Sequence, residues 1–381
     1  MYKLILSIVF ALTFPVGSSP VALQKEEPIK LEVMSRDNIE RIQQVATIEA
    51  SVLELVLDVK FSSDSELVAL RDPSRTDLIE LWNTNPPSLE HMLMTENDDV
   101  IRELNFSYDS QTVAVQQSTF IQVWDTVTGG TRFIIEEDQL IYRTRFAPHA
   151  KLLAYVLALG NETKDDKSVH LWDVEQGEEF LALPHPTVHI FAFDDDGKYL
   201  ASGGADGSIR LWKVNEGAFS QEFELIREAD GQPVSDLEFV GNSGLIFRIG
   251  FPPSDPFNVW DYEISELRLI DYLGYPISRD LIVKRSSDNK FQVWNINSDE
   301  TLALLDVPLT YPVGGTPDQR VFGTYGKEED TLDFLDIETG EVIKTITYEQ
   351  MVFARFSDDG RYLAIWSANN KVSLWGVPAE K

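Results

Sequence analysis

One tetrapeptide pattern, apolar–polar–apolar–Trp, recurs along the chain and limits the folds open to it. It stands at Ile79-Glu80-Leu81-Trp82, Ile121-Gln122-Val123-Trp124, Val169-His170-Leu171-Trp172, Ile209-Arg210-Leu211-Trp212, Phe257-Asn258-Val259-Trp260, Phe291-Gln292-Val293-Trp294 and Val372-Ser373-Leu374-Trp375. Leu332-Asp333-Phe334-Leu335 fills the gap before the last of these, with Leu in place of Trp. The steps between successive fourth positions are 42, 48, 40, 48, 34, 41 and 40 residues. A period of this length marks a repeat architecture, in which each unit buries its apolar surface only against its neighbours. The alternation inside each tetrapeptide reads as a strand.

Two further signals share the period. A run ending in Phe leads into a polar turn at Phe61-Ser62-Ser63-Asp64-Ser65, Phe106-Ser107-Tyr108-Asp109-Ser110, Phe193-Asp194-Asp195-Asp196-Gly197 and Phe356-Ser357-Asp358-Asp359-Gly360. Asp-Gly and Asp-Ser pairs accept the left-handed backbone that a tight hairpin needs. After the Trp strands come Thr128-Gly129, Gln176-Gly177, Glu216-Gly217 and Thr339-Gly340, which are hairpin turns again. Each unit therefore reads as strand a, turn, strand b, loop, strand c, turn, strand d: an antiparallel meander.

These residues resemble the WD-repeat β-propeller family over 39–377. The best single unit runs from His185 through Ile190-Phe191-Ala192-Phe193, Tyr199-Leu200-Ala201-Ser202 and Asp206-Gly207 to Trp212. The resemblance implies an all-β propeller of four-stranded blades. It also implies a hydrogen-bonded tetrad of His185, Ser202, Asp206 and Trp212 inside that blade, and no other unit keeps the His. It implies little about function, because the fold hosts many unrelated roles.

Eight strand-c positions predict eight blades. Dividing 39–377 by eight gives about 42 residues per blade, an ordinary length, whereas seven blades would need about 48. Seven stays open, because the unit ending at Trp294 is short. The last unit has no strand d after Trp375. An open ring would expose unpaired backbone groups, so residues 39–47, phased like a strand d, are expected to pair beside 371–375 and close it.

The N-terminus reads as an address. Lys3 precedes an apolar run at 4–14, and small residues follow at 16–19. The run is shorter than the roughly 20 residues that a membrane-spanning helix needs. Residues 1–18 are therefore read as a secretory signal, with an uncleaved anchor as the alternative, and 19–38 as a polar leader. The expected location is the secreted, periplasmic or envelope compartment of a bacterium, with no transmembrane segment in the mature chain.

The formal net charge is −31, and cysteine is absent. A chain this acidic repels phosphate backbones and excludes nucleic acid as an expected partner. Without cysteine there are no disulfides, thiolate metal sites or Cys nucleophiles.

In an up-and-down meander the b–c and d–a connections share one face of the disc. The variable and acidic segments fall there, and loops on a rigid scaffold are where binding concentrates. The expected interaction rim comprises Asp98, Asp99, Glu136, Glu137, Asp165, Asp166, Phe251, Phe257, Glu328 and Glu329. Its expected occupant is a protein or peptide, preferably cationic, engaged by a monomer; the bland alternative is that acidic loops serve solubility.

No catalytic or metal motif emerges. His185 and His189 lack a third ligand, and Asp194–Gly197 lacks the oxygen spacing of a calcium loop. No cofactor is expected. The alternative class is a propeller enzyme, either a hydrolase or a quinone-dependent dehydrogenase. Its faint support is the likeness of Leu335-Asp336-Ile337-Glu338-Thr339-Gly340 to the repeats of the latter.

Overall fold

A strand buried on both faces must pair at both edges, and the chain meets this need with eight separate sheets. The computed structural model describes residues 27–380, apart from 51–57, 73–76, 98, 159–167, 216–217, 226–231, 242, 251–256, 264–265, 271–273, 277–279, 286–290 and 306–311. Seven sheets are four-stranded antiparallel meanders in chain order, here blades 1 to 7: 58–94, 103–136, 141–184, 188–225, 234–270, 274–305 and 312–347. The eighth is built from both ends of the described chain. Together they form an eight-bladed β-propeller with strand a innermost, and the seven-bladed alternative is excluded.

The tetrapeptide explains how blades become a ring. Successive side chains of a strand point to opposite faces. The first and third positions therefore face one neighbouring blade, and Trp faces the other. Ile209 and Leu211 join Val234, Leu237 and Phe247 of blade 5, while Trp212 joins Val169 and Leu171 of blade 3. Val293 packs towards blade 7, and Trp294 packs back onto Val259 of blade 5. In blade 7, Leu335 takes the Trp position against Leu281 and Val293. Eight apolar clusters result, one at each junction between successive blades, including the junction of blades 8 and 1. Each fully buried Val, Leu or Ile side chain contributes about 1.5–3 kcal/mol, so the stability is spread around the wheel.

The turns follow their chemistry. Ser65 and Ser110 take φ of 59°, and Gly197 and Gly360 take 66° and 68°, in the a–b hairpins. Ser62, Ser107 and Ser357 each donate their hydroxyl to the Asp two residues on, at 2.7–2.8 Å. In blades 2, 3 and 6 the residue after the Trp has a separate task. Asp125 Oδ1 accepts the N–H groups of Val127 and Thr128, and Asp173 and Asn295 do the same in blades 3 and 6. That side chain caps the c–d turn, an Asx-type bond that holds the chain in its reversal.

Blade 8 closes the ring in more detail than the sequence predicts. Its strands a to c are Met351–Phe356, Leu363–Ser367 and Lys371–Pro378. Its strand d is Gln43–Glu49, antiparallel to strand c, with Ile48 opposite Val372 and Glu49 opposite Lys371. The expected start at Ile39 is corrected: Ile39–Arg41 is a 3-10 turn, with Ile39 buried against blade 7. The expected polar leader is also corrected from Leu31 onward. Leu31–Glu32 pairs with Val377 and Pro378, and Met34 is fully buried among Val321, Phe334 and Val377. The apolar positions in 31–42 are spaced for a strand joined to a turn, which hides them from a strand-period reading. Arg36 ties the strap to blade 7 through Asp336. The proposed signal at 1–18 lies outside the described residues.

Candidate functional site

The four residues singled out in blade 4 are brought together, with a fifth between two of them. Trp212 Nε1 donates to Ser202 Oγ at 3.0 Å. Ser202 Oγ lies 2.8 Å from His185 Nδ1, and His185 Nε2 lies 2.9 Å from Ser208 Oγ. Ser208 Oγ then donates to Asp206 Oδ1 at 2.6 Å. His185 thus reaches Asp206 through Ser208, whose part the sequence reading missed; its position two residues after Asp206 is the Asx-turn signal that could have found it.

Donor counting orders the protons. Trp can only donate, so Ser202 passes its own hydroxyl hydrogen to Nδ1, and Nε2–H donates to Ser208. His185 is the neutral Nε2–H tautomer, and the chain ends on a carboxylate. Burial pushes the His185 pKa down to about 4, with Arg210 adding to the effect. Burial works against ionisation of Asp206, but the bonds from Ser208 together with one from Thr187 and the influence of His185 hold the carboxyl below its usual range. Gly204 leaves room for the network: a Cβ there would lie 2.5 Å from Asp206 Oδ1 and 2.9 Å from His185 Nε2. This constellation joins strands b and c to the d–a connection, and all its members are occupied with one another. It is a structural lock.

The other blades satisfy the polar second position of the tetrapeptide in their own ways. Glu80 accepts Trp82 Nε1 at 2.8 Å, Gln122 bridges Glu96 N and Thr131 Oγ1, and Ser373 meets Tyr348 Oη at 2.6 Å. His170 stacks on Tyr155 and bonds Glu179 at 2.9 Å. Among the described residues, no group of three or more His, Asp or Glu side chains is placed to hold a metal ion.

The rim candidates divide. Asp98, Asp165, Asp166 and Phe251 lie outside the described residues. Glu136, Glu328 and Glu329 are exposed on the face that carries the b–c and d–a connections. Glu137 is half-buried and accepts Tyr155 Oη at 2.6 Å. Asp99 receives the N–H groups of Val100 and Ser118, and bonds from Ser118 and then Val100 hold its carboxyl below the usual range. Phe257 is a correction: it opens strand c of blade 5, packs against Ile246 and Trp294, and lies beneath the Arg248 guanidinium at 4.1 Å. It occupies the tetrapeptide's first position, which faces a neighbouring blade.

The same face carries apolar groups that the rim reading did not include. Val100, Leu140, Tyr142 and Phe353 are 50%, 49%, 58% and 51% exposed. Val100 and Leu140 precede the first strands of blades 2 and 3, and Tyr142 and Phe353 lie within the first strands of blades 3 and 8. Tyr142 meets His189 of blade 4 edge-on at 6.1 Å. Exposed apolar groups on a face that also carries carboxylates are what a recognition surface presents. Nothing in the 40-residue period could signal them, since they fall at positions where the repeats differ.

Ring closure and blade architecture define the class: an eight-bladed β-propeller of four-stranded antiparallel blades. A family model for the WD domain, G-beta repeat, matches residues 181–213, from strand d of blade 3 to strand c of blade 4. Among similar proteins, apoptotic protease-activating factor 1 of Danio rerio is 25% identical over 61% of this chain and 17% of its own length. The coronin-like protein of Saccharomyces cerevisiae is 34% identical over 25% of this chain and 15% of its own. Autophagy-related protein 16 of Arabidopsis thaliana is 24% identical over 60% and 45%. Each match therefore spans less than half of the relative concerned. In fold, the computationally designed Ika8 protein superposes with a TM-score of 0.64 at 16% identity, covering 88% of this chain and all of that one. BamB from Moraxella catarrhalis gives 0.59 at 14%, covering 88% and 99%. A WD repeat is therefore present in this chain, within its eight-bladed ring.

Proposed function

We propose that this protein is a non-enzymatic interaction module, exported from a bacterial cell, which as a monomer holds a cationic, partly apolar protein segment on its loop-bearing face. The observation that carries the reading is the pairing of exposed Val100, Leu140, Tyr142 and Phe353 with the carboxylates Asp99, Glu136, Glu328 and Glu329 on one face. Apolar anchors supply affinity and a polar rim supplies orientation and steering. The WD-repeat relatives favour a scaffold, and nothing among them favours the hydrolase or dehydrogenase alternative. Export rests on the signal-like 1–18 and the absence of cysteine.

The test is a titration of the purified chain with peptides that combine Lys or Arg with aromatic residues, at low and at 0.5 M salt, roughly spanning the screening range. Binding that weakens at least tenfold with salt, and again in Tyr142→Ala or Phe353→Ala without a change in melting, supports the reading. Equal binding of acidic peptides, or no effect of either substitution, rejects it.

A further inference from the structure

The turn face, opposite the loops, carries a cavity of about 200 Å³ between blades 2 and 3. One position of the repeat opens it. In blades 1, 2, 3, 4, 7 and 8 the N–H at the start of the a–b turn donates to the carbonyl of the residue five places on, which leads into strand b. That residue is Leu67, Leu152, Tyr199, Val321 and Tyr362 in blades 1, 3, 4, 7 and 8, but Thr112 in blade 2. Leu67, Tyr199, Val321 and Tyr362 pack into the junction with the following blade. Thr112 faces the same way but is too short to fill the space, and Phe146 and Val174 of blade 3 line the gap that results.

The rest of the wall is polar, and its charges are matched. Arg132 pairs with Asp125 at 2.6 Å, and Lys151 pairs with Glu175. Asp109 Oδ1 accepts the Ser107 hydroxyl at 2.7 Å. Thr112 is the exception. It is 1% exposed, and its hydroxyl has no hydrogen-bond partner among the described residues. A buried hydroxyl left unpaired is unfavourable, and native structures keep few of them. Beside the cavity, Tyr108 and His149 of the same two a–b turns meet ring to ring at 4.0 Å, and Tyr108 is half exposed.

We propose that this cavity binds an uncharged, hydroxyl-rich small molecule the size of one sugar ring. A cavity of about 150 Å³ holds a benzene ring, so this one takes a six-membered sugar with some of its hydroxyls left towards solvent. A hydroxyl both donates and accepts. It can therefore serve Thr112, a cation or a carboxylate without breaking either ion pair. An anion would meet Asp109 and Glu175, and a cation would compete with Arg132 and Lys151. The rings of Phe146 and Tyr108 offer apolar surface to the C–H face of a sugar. The site lies on the turn face and is independent of the loop-face reading.

The experiment is a titration of the full chain with the methyl glycosides of glucose, galactose and mannose, and with acetate and ethanolamine as charged probes, at constant ionic strength. Binding is followed by saturation-transfer NMR, and stability by melting temperature. The expected result is saturable binding of at least one glycoside, with half-saturation below about 10 mM and tighter than either charged probe. Thr112→Leu installs the side chain of blades 1 and 3. It should weaken glycoside binding about tenfold or more and melt at or above the parent temperature, because it fills the gap and removes the unpaired hydroxyl. Thr112→Val keeps the volume, so it decides the matter alone should leucine overpack the junction. It should weaken binding roughly threefold to tenfold, the effect of one hydrogen bond. Tyr142→Ala should bind as the parent does. Half-saturation above that range for all three glycosides, a charged probe bound as tightly, or glycoside affinity unchanged in Thr112→Val overturns the proposal.

Discussion

At the residue scale, the blade 4 lock shows how one side chain's protonation can govern a blade. Neutral His185 accepts at Nδ1 and donates at Nε2; a second proton would turn Nδ1 into a donor facing Ser202, which already accepts from Trp212. The folded pKa, about 4, lies below the ordinary value of 6.5. Between these values the unfolded chain binds more protons than the folded one, so stability falls as pH falls through that window. The loss attributable to His185 is at most about 3 kcal/mol. Urea melts from pH 7 to pH 4 should give a shallower decline in His185→Gln than in the parent, since the carboxylates contribute equally to both. Parallel curves would contradict the neutral assignment.

At the element scale, the closing device has two parts. Gln43–Glu49 supplies the missing strand, and Leu31 to Ile42 forms a strap that plugs the junction of blades 7 and 8 with Met34, Ile39 and Ile42. A chain beginning at Ser51 loses both, and should melt well below a chain beginning at Glu27. It should also bind a hydrophobic dye, because the backbone edge of Lys371–Pro378 and the apolar faces of two junctions become exposed. Equal melting temperatures would show that the ring holds without its closing strand. The strand-d phase of this segment was legible in its sequence. The strap was not, because Met34 and Ile39 are recognisable as core only when the wall formed by Val321, Phe334 and Val377 is in place.

At the scale of the whole molecule, the ring stores a repulsive charge that its architecture must bear. A net charge of −31 spread over a compact disc opposes folding through self-repulsion, which salt screens. Raising sodium chloride from about 10 to about 200 mM, where the Debye length shortens from roughly 30 to below 10 Å, should therefore raise the melting temperature. A fall would mean that specific ion pairs such as Arg132–Asp125 and Lys371–Glu49 outweigh the general repulsion.

The repeating period, the alternation within each strand, the Asp-capped turns and the count of eight were all written locally. A tetrapeptide carries its own two-faced pattern, and a turn carries its own left-handed residue, wherever the chain places them. The tertiary structure alone decided which faces meet. Phe257 went to a blade junction because the first position of its tetrapeptide faces the next blade, and Ser208 entered the lock because the b–c loop folded it against His185. Such contacts join residues tens of positions apart, and no local pattern encodes the distance between them.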